Sequence, residues 1–277
     1  MNEFGSHIEL FTYKDNYTRE IHYWSPNNDI NAIFIGFHGG LAHPCDFAEF
    51  GNFFKQKGYL TIAPILRGHN QKRAHIDEFQ YFIDDAIELI DKIKTDYPRV
   101  KIYLVGHSVG ALINLYLLTQ YKHINDLSGI IYSSPFLANA TKVPKIVVSL
   151  SKILASLFPK AKTPVEDIRP NITQDKILAE KIYNWTEIGV RSLEISMRTA
   201  RAFLDAQNYL LNNPPQIQGP KMLAIIANKD KICDPITSID YFNSLKNTQV
   251  KIYDENYHDN FNETNRSDVF QMILDWI

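Results

Sequence analysis

The chain has 277 residues, 45% hydrophobic and 22% charged, with a net charge of −2. That composition belongs to a globular protein able to bury one large core, and the charge balance excludes a nucleic-acid binder working through a basic surface. Two cysteines, Cys45 and Cys233, are too few for a disulfide framework or a zinc site, and no apolar run reaches the roughly 18 residues of a membrane span.

Met1–His7 holds neither a basic nor an apolar region, so no secretory signal is expected. The two thiols fit a reducing compartment, and the expected location is the cytoplasm. Ile8–Tyr13 and Arg19–Trp24 alternate in character around Asp15-Asn16, which predicts an antiparallel hairpin. Ala32–Phe37 reads as a buried strand ending in His38-Gly39-Gly40. Pro44–Lys57 reads as a helix and Tyr59–Ile65 as a strand. In Phe79–Tyr97, Phe82, Ile83, Ala86, Ile87, Ile90 and Ile93 recur at helical spacing. Val100–Val105 and Ser128–Ser133 are strands, with a helix-like run, Ala111–Leu118, between them. Late in the chain come a strand (Lys221–Ala227), a helix (Pro235–Lys246), a strand (Gln249–Tyr253) and a closing helix (Val269–Ile277).

Eight strands mostly separated by helices predict an α/β fold: a largely parallel sheet, antiparallel at its start, with helices on both faces. The alternation stops over residues 135–215, which have helical patterning and little strand signal. The expected organisation is a core (1–134), a helical cap insertion (135–215) above the C-terminal edge of the sheet, and the rest of the core (216–277).

Gly106-His107-Ser108-Val109-Gly110 joins a strand to a helix. Strand, G-x-S-x-G, helix is the pattern of a nucleophile elbow, whose sharp turn leaves no room for side chains two residues either side of the serine. Ser108 then stands at a helix N-terminus, where backbone N–H groups stabilise an oxyanion. A serine nucleophile needs a base and an acid, in the order serine, acid, histidine. Only His123 and His258 follow Ser108. His123 falls beyond the elbow helix, at its far end, whereas His258 lies in the loop after the last strand, on the elbow side. The acid should follow the preceding strand, where Asp230 and Asp234 stand. Asp234, before Pro235, reads as a helix N-cap. Asp230 is the preferred acid. The oxyanion donors expected are the N–H of Val109 and that of Gly40, with Leu41 as the alternative to Gly40. His38 is expected to be structural.

On these residues the chain resembles the monoacylglycerol lipase and lysophospholipase branch of the α/β-hydrolases, also called serine aminopeptidase S33-like. The matching segments are His38-Gly39-Gly40, Arg67-Gly68-His69, Gly106–Gly110, Asn228–Asp234 and Tyr257-His258, and they span essentially the whole chain. The resemblance implies Asp230 as triad acid, oxyanion donation from Gly40 and Val109, a helical cap, and esters of single acyl chains as substrates. Two segments depart from the family pattern: Arg67-Gly68-His69 continues as Asn70-Gln71-Lys72, and Ser108 is followed by Val109-Gly110-Ala111. Neither removes a triad group.

In the cap, Val143–Pro159 predicts a helix with a polar stripe (Lys145, Ser149, Lys152, Ser156) and a wide apolar face that includes Ile146, Leu150 and Leu154. That face either packs on the core, lines an acyl pocket or touches a lipid surface. A second cap helix, Val190–Leu211, carries Met197 as a further pocket candidate and Arg191, Arg198 and Arg201 as exposed or head-group-facing cations. The expected activity is hydrolysis of a monoacylglycerol or lysophospholipid ester, without metal or organic cofactor, with only transient membrane contact through the cap. The alternatives are a general short-chain or aromatic-acid carboxylesterase, and a non-catalytic binding protein of the same fold.

Overall fold

The computed structural model describes residues 3–141, 144–163, 167–216 and 219–277. Strands β1 (His7–Thr12) and β2 (Thr18–Trp24) form the expected hairpin, with Asn16 at φ +67°, a left-handed conformation that asparagine tolerates. Then come β3 (Ala32–Phe37), a 3-10 turn (Pro44–Phe47), α1 (Ala48–Lys55) and β4 (Tyr59–Pro64). A two-residue strand, β5 (Arg73–Ala74), precedes α2 (Gln80–Asp96). Next are β6 (Lys101–His107), α3 (Val109–Gln120) and β7 (Gly129–Ser133). The helical stretch supplies α4 (Lys145–Leu157), α5 (Lys176–Glu187), a two-residue strand β8 (Glu194–Ile195) and α6 (Met197–Asn212). The chain returns through β9 (Met222–Ala227), α7 (Pro235–Ser244), β10 (Thr248–Tyr253) and α8 (Arg266–Trp276).

The main sheet has eight strands in the order β1-β2-β4-β3-β6-β7-β9-β10. β2 runs antiparallel to β1 and β4, and all later pairings are parallel. Along β3, Ile33, Ile35 and Phe37 join one core with residues of α2 and α3, while Ala32 and Phe34 join the other with residues of α1 and α8. Burial on both faces is why the strands read as continuous apolar runs. The architecture is that of an α/β-hydrolase.

Two boundaries differ from expectation. The helix predicted over Pro44–Lys57 is a 3-10 turn followed by α1, because Phe47 leaves helical geometry at φ −86°, ψ 5°. The helix predicted from Val190 begins at Met197, where the Ser196 side chain caps it by accepting from Thr199 N–H at 3.1 Å. Before it, residues 190–193 are irregular and Glu194–Ile195 forms β8, which pairs with β5. The apolar pattern alone does not mark α5, although Asp175 is a regular N-cap for it. Val143, the expected start of the first inserted helix, lies outside the described residues.

Candidate active site

Parallel strands deliver the site. β6, β9 and β10 share a direction, so the loops at their C-terminal ends open on one sheet edge. Ser108 follows β6, Asp230 follows β9, and His258 follows β10.

Ser108 takes φ +55° and ψ −112°, a conformation few non-glycine residues adopt. Its surroundings hold it there. Ser108 N–H donates to Ser133 O at 2.9 Å, and its own carbonyl accepts from Ala111 and Phe136 N–H at 3.1 and 3.2 Å. The flanking glycines are sterically required. A Cβ on Gly106 would stand 2.4 Å from Gly110 O, and one on Gly110 would stand 1.9 Å from Phe37 O. The elbow can therefore close only with glycine at both positions.

His258 and Asp230 meet as expected. His258 Nδ1 and Asp230 Oδ2 lie 2.7 Å apart, and both residues are buried. Asp230 Oδ1 accepts from the N–H groups of Ile232 and Cys233 at 2.8 and 3.0 Å. Both carboxylate oxygens thus have fixed partners, and Oδ2 is aimed at the ring. Asp234 serves α7 instead, accepting from Thr237 N–H at 3.1 Å. His123 lies at the far end of α3, exposed and beside Asp126. His107 packs on the His258 ring at 4.7 Å between centroids. Burial, reinforced by His258, pushes the His107 imidazole well below its ordinary range, so it adds no charge there.

The glycine loop after β3 comes against the elbow. A Cβ on Gly40 would touch Val109 Cγ2 at 3.2 Å and the Phe203 ring at 3.3 Å, so the candidate oxyanion donors Gly40 and Val109 are neighbours. Leu41 next to it has φ +63°, an outlier for a bulky residue. His38 braces this loop from inside: Nε2 accepts from Leu66 N–H at 3.0 Å and Nδ1 donates to Gly39 O at 2.8 Å. It is structural, as expected.

The family model described as serine aminopeptidase, S33, matches residues 28–265. The chain belongs to this family. Within it, the chain is 27% identical over 265 residues to the phospholipase YtpA of Bacillus subtilis (strain 168), covering 90% of this chain and 95% of that one. It is 26% identical over 264 residues to a monoglyceride lipase homolog of Monkeypox virus, covering 92% of each. A soluble variant of the monoglyceride lipase from Saccharomyces cerevisiae, solved in complex with a substrate analog, has the same fold. Its TM-score is 0.83 at 20% identity, over 98% of this chain and 93% of that one. With relatives named phospholipase and monoglyceride lipase homolog along nearly its whole length, the chain is a carboxylic ester hydrolase of this family.

In this hydrolase the inserted helices differ from expectation. α4 does not turn its apolar face inward. Ile146 is 70% exposed, Leu150 51% and Leu154 38%, and Ile153, Leu157 and Phe158 are exposed as well. α4 packs on α6 through a narrow strip in which Ala155 is buried and Val148 and Ser151 are half-buried. Ile146, Leu150 and Leu154 therefore face solvent, and Met197, at the start of α6, is half-buried. Amphipathic periodicity located the apolar face correctly, but it carries no information about what covers that face. Arg191 is the second difference: it is buried rather than on an exposed helix face.

Two residues near the triad had weaker sequence signals. The Cys233 thiol lies against the Ser108 hydroxyl, and burial pushes the thiol well above its ordinary range. Polar atoms of Asp230, Cys233 and His258 all fall within 4.8 Å of one another. Asp259, directly after the histidine, is buried and accepts from Asn262 and from Phe261 N–H.

Proposed function

We propose that this hydrolase cleaves the ester of a single acyl chain, of monoacylglycerol or lysophospholipid type, through an acyl-enzyme on Ser108. Ser108 attacks the acyl carbonyl carbon. His258 takes the serine proton and gives it to the leaving alcohol. Asp230 holds the ring with Nδ1 protonated and stabilises the imidazolium. The N–H groups of Gly40 and Val109 donate to the oxyanion. Water then attacks the acyl-enzyme by the same route in reverse, and no metal or organic cofactor enters.

The observation that carries this reading is the 2.7 Å contact of His258 Nδ1 with an Asp230 carboxylate whose other oxygen is already committed. The choice of substrate draws on the relatives named phospholipase and monoglyceride lipase and on α4. We read residues 135–215 as the cap of the enzyme. Seven large apolar side chains of α4 and its C-terminal end stand exposed, more than an isolated surface helix normally shows. We take them to rest transiently on a lipid surface, from which a single-chain ester enters. No helix among the described residues is long and apolar enough to cross a membrane. The two unpaired cysteines support a cytoplasmic location.

Ser108→Ala is expected to abolish hydrolysis of p-nitrophenyl esters while the far-UV circular dichroism spectrum stays unchanged. Retained turnover would remove Ser108 as nucleophile. A series from acetyl to palmitoyl esters tests the substrate. A preference for acetyl would defeat the lipid reading and leave a short-chain esterase.

A further inference from the structure

Arg191 belongs to the inserted segment, yet its guanidinium is buried at the seam with the core. Its backbone N–H donates to Trp185 O at 3.1 Å, and its Nη1 donates to Asp46 Oδ2. Asp46 is also buried, in the 3-10 turn that follows the Gly40 loop. From Asp46 the network runs on to the histidine. Asn262 Nδ2 donates both to Asp46 O and to Asp259 Oδ2, each at 2.8 Å. Asp259 is the residue after His258, and its N–H donates to Ile172 O of the inserted segment at 2.8 Å.

A buried ion pair is poor evidence for stability, because desolvation offsets most of its attraction. This pair has a second circumstance. Two buried carboxylates, Asp46 and Asp259, flank the site, and burial pushes both above the usual carboxylate range while Arg191 pulls both down. The groups around His258 are Asp230 and Cys233 from the loop after β9, His107 from β6 and Asp259 from its own loop, and the charge of Arg191 reaches two of them, His107 and Asp259.

We propose that Arg191 is a positioning residue for ester hydrolysis. Its guanidinium ties the Gly40 loop, through Asp46, to the His258 loop, through Asn262 and Asp259, and balances the buried charge beside His258. Seating of the cap and competence of the site are then one event. Loss of the guanidinium leaves uncompensated carboxylate near the ring, which favours the imidazolium and takes the general base out of use at higher pH.

The test is the pH profile of kcat and KM for p-nitrophenyl butyrate, with Tm recorded on the same samples. Arg191→Met is expected to lower kcat by about tenfold or more with KM within about twofold. It should also move the acid limb of kcat to higher pH by about one unit. Arg191→Lys keeps the charge without the fork, so its acid limb should stay in place while kcat stays reduced. Asp46→Asn combined with Arg191→Met should recover Tm but not the limb, since Asp259 still lacks its cation. Full recovery of kcat and limb in that double variant would make the pair a mere staple and overturn the proposal. If Arg191→Met does not fold, Asp259→Asn decides, because its limb should move to lower pH, and an unmoved limb refutes the charge role. The inference rests on the triad reading, and fluorophosphonate labelling separates the two failures. A wild-type Ser108 that does not label refutes the triad. A Ser108 that labels and turns over alike with and without Arg191 refutes only the positioning role.

Discussion

Asp230→Asn is the sharpest perturbation of the triad, because the protein dictates which way the new amide must point. In the native site Oδ1 accepts from two backbone N–H groups, of Ile232 and Cys233, and Oδ2 accepts from His258 Nδ1. An asparagine keeps its oxygen on the two N–H groups. Flipping it would set an NH2 against two buried donors, at about 1–3 kcal/mol for each one left unsatisfied. The NH2 therefore faces His258 Nδ1, which must become the acceptor. The ring proton moves to Nε2, the nitrogen that should receive the serine proton. Restoring the working tautomer costs the same kind of mispairing, about 1–3 kcal/mol. Losing the carboxylate removes about 1.4–4 kcal/mol of imidazolium stabilisation. Together these raise the barrier by about 2–7 kcal/mol, so kcat should fall by about 10²–10⁵-fold. The assay is kcat for p-nitrophenyl butyrate at pH 8, on protein shown to be folded by circular dichroism. Asp234→Asn is the control: asparagine caps a helix as well as aspartate, so activity should stay within about twofold. An Asp230→Asn enzyme within about tenfold of wild type, or a larger loss at Asp234, would refute this chain of reasoning.

Gly110→Ala should be severely destabilising, by about 3 kcal/mol or more, because its Cβ would lie 1.9 Å from Phe37 O in the central strand β3. An unchanged Tm would show that the elbow is looser than described. Acid should unfold the protein early. Burial pushes His43 down to about 3 and His69 to about 4, so both stay neutral when folded but protonate near pH 6.5 when unfolded. Their contribution is complete above pH 6.5 and is lost as pH falls, by about 4 kcal/mol for the pair between pH 7 and 5. Asp85, raised to about 6 by burial, has the opposite sign and returns only about 1 kcal/mol over that range. Urea melts at pH 7, 6 and 5 measure the net loss, and equal midpoints would contradict it. For α4, replacing Ile146 and Leu150 by serine should cut partition onto phosphatidylcholine vesicles by about tenfold or more without changing Tm, since both side chains are exposed. Unaltered partition would exclude this face as the lipid contact.

What the sequence determines here is local or ordered along the chain. Gly106 and Gly110 announce the elbow because a Cβ at either position meets backbone only a few bonds or one strand away. Continuous apolar runs such as Ala32–Phe37 announce buried parallel strands, since both faces of each are covered. The same regularity puts Ser108, Asp230 and His258 on loops that follow strands of one direction, so their order was enough to pick them from nine histidines and many carboxylates. Asp234 could be set aside by its own neighbour, Pro235. What only the tertiary structure decided depends on partners that no short-range pattern encodes. Arg191 and Asp46 are 145 residues apart, and nothing near either of them signals a buried pair. The apolar face of α4 is plain in its spacing, but an inward and an outward face have the same periodicity. Exposure is decided by which other helix arrives: α6 packs on α4, and among the described residues of α4 only Val148, Ser151 and Ala155 are not exposed. Backbone sterics write themselves into a sequence position by position, whereas burial is a property of the whole packed chain.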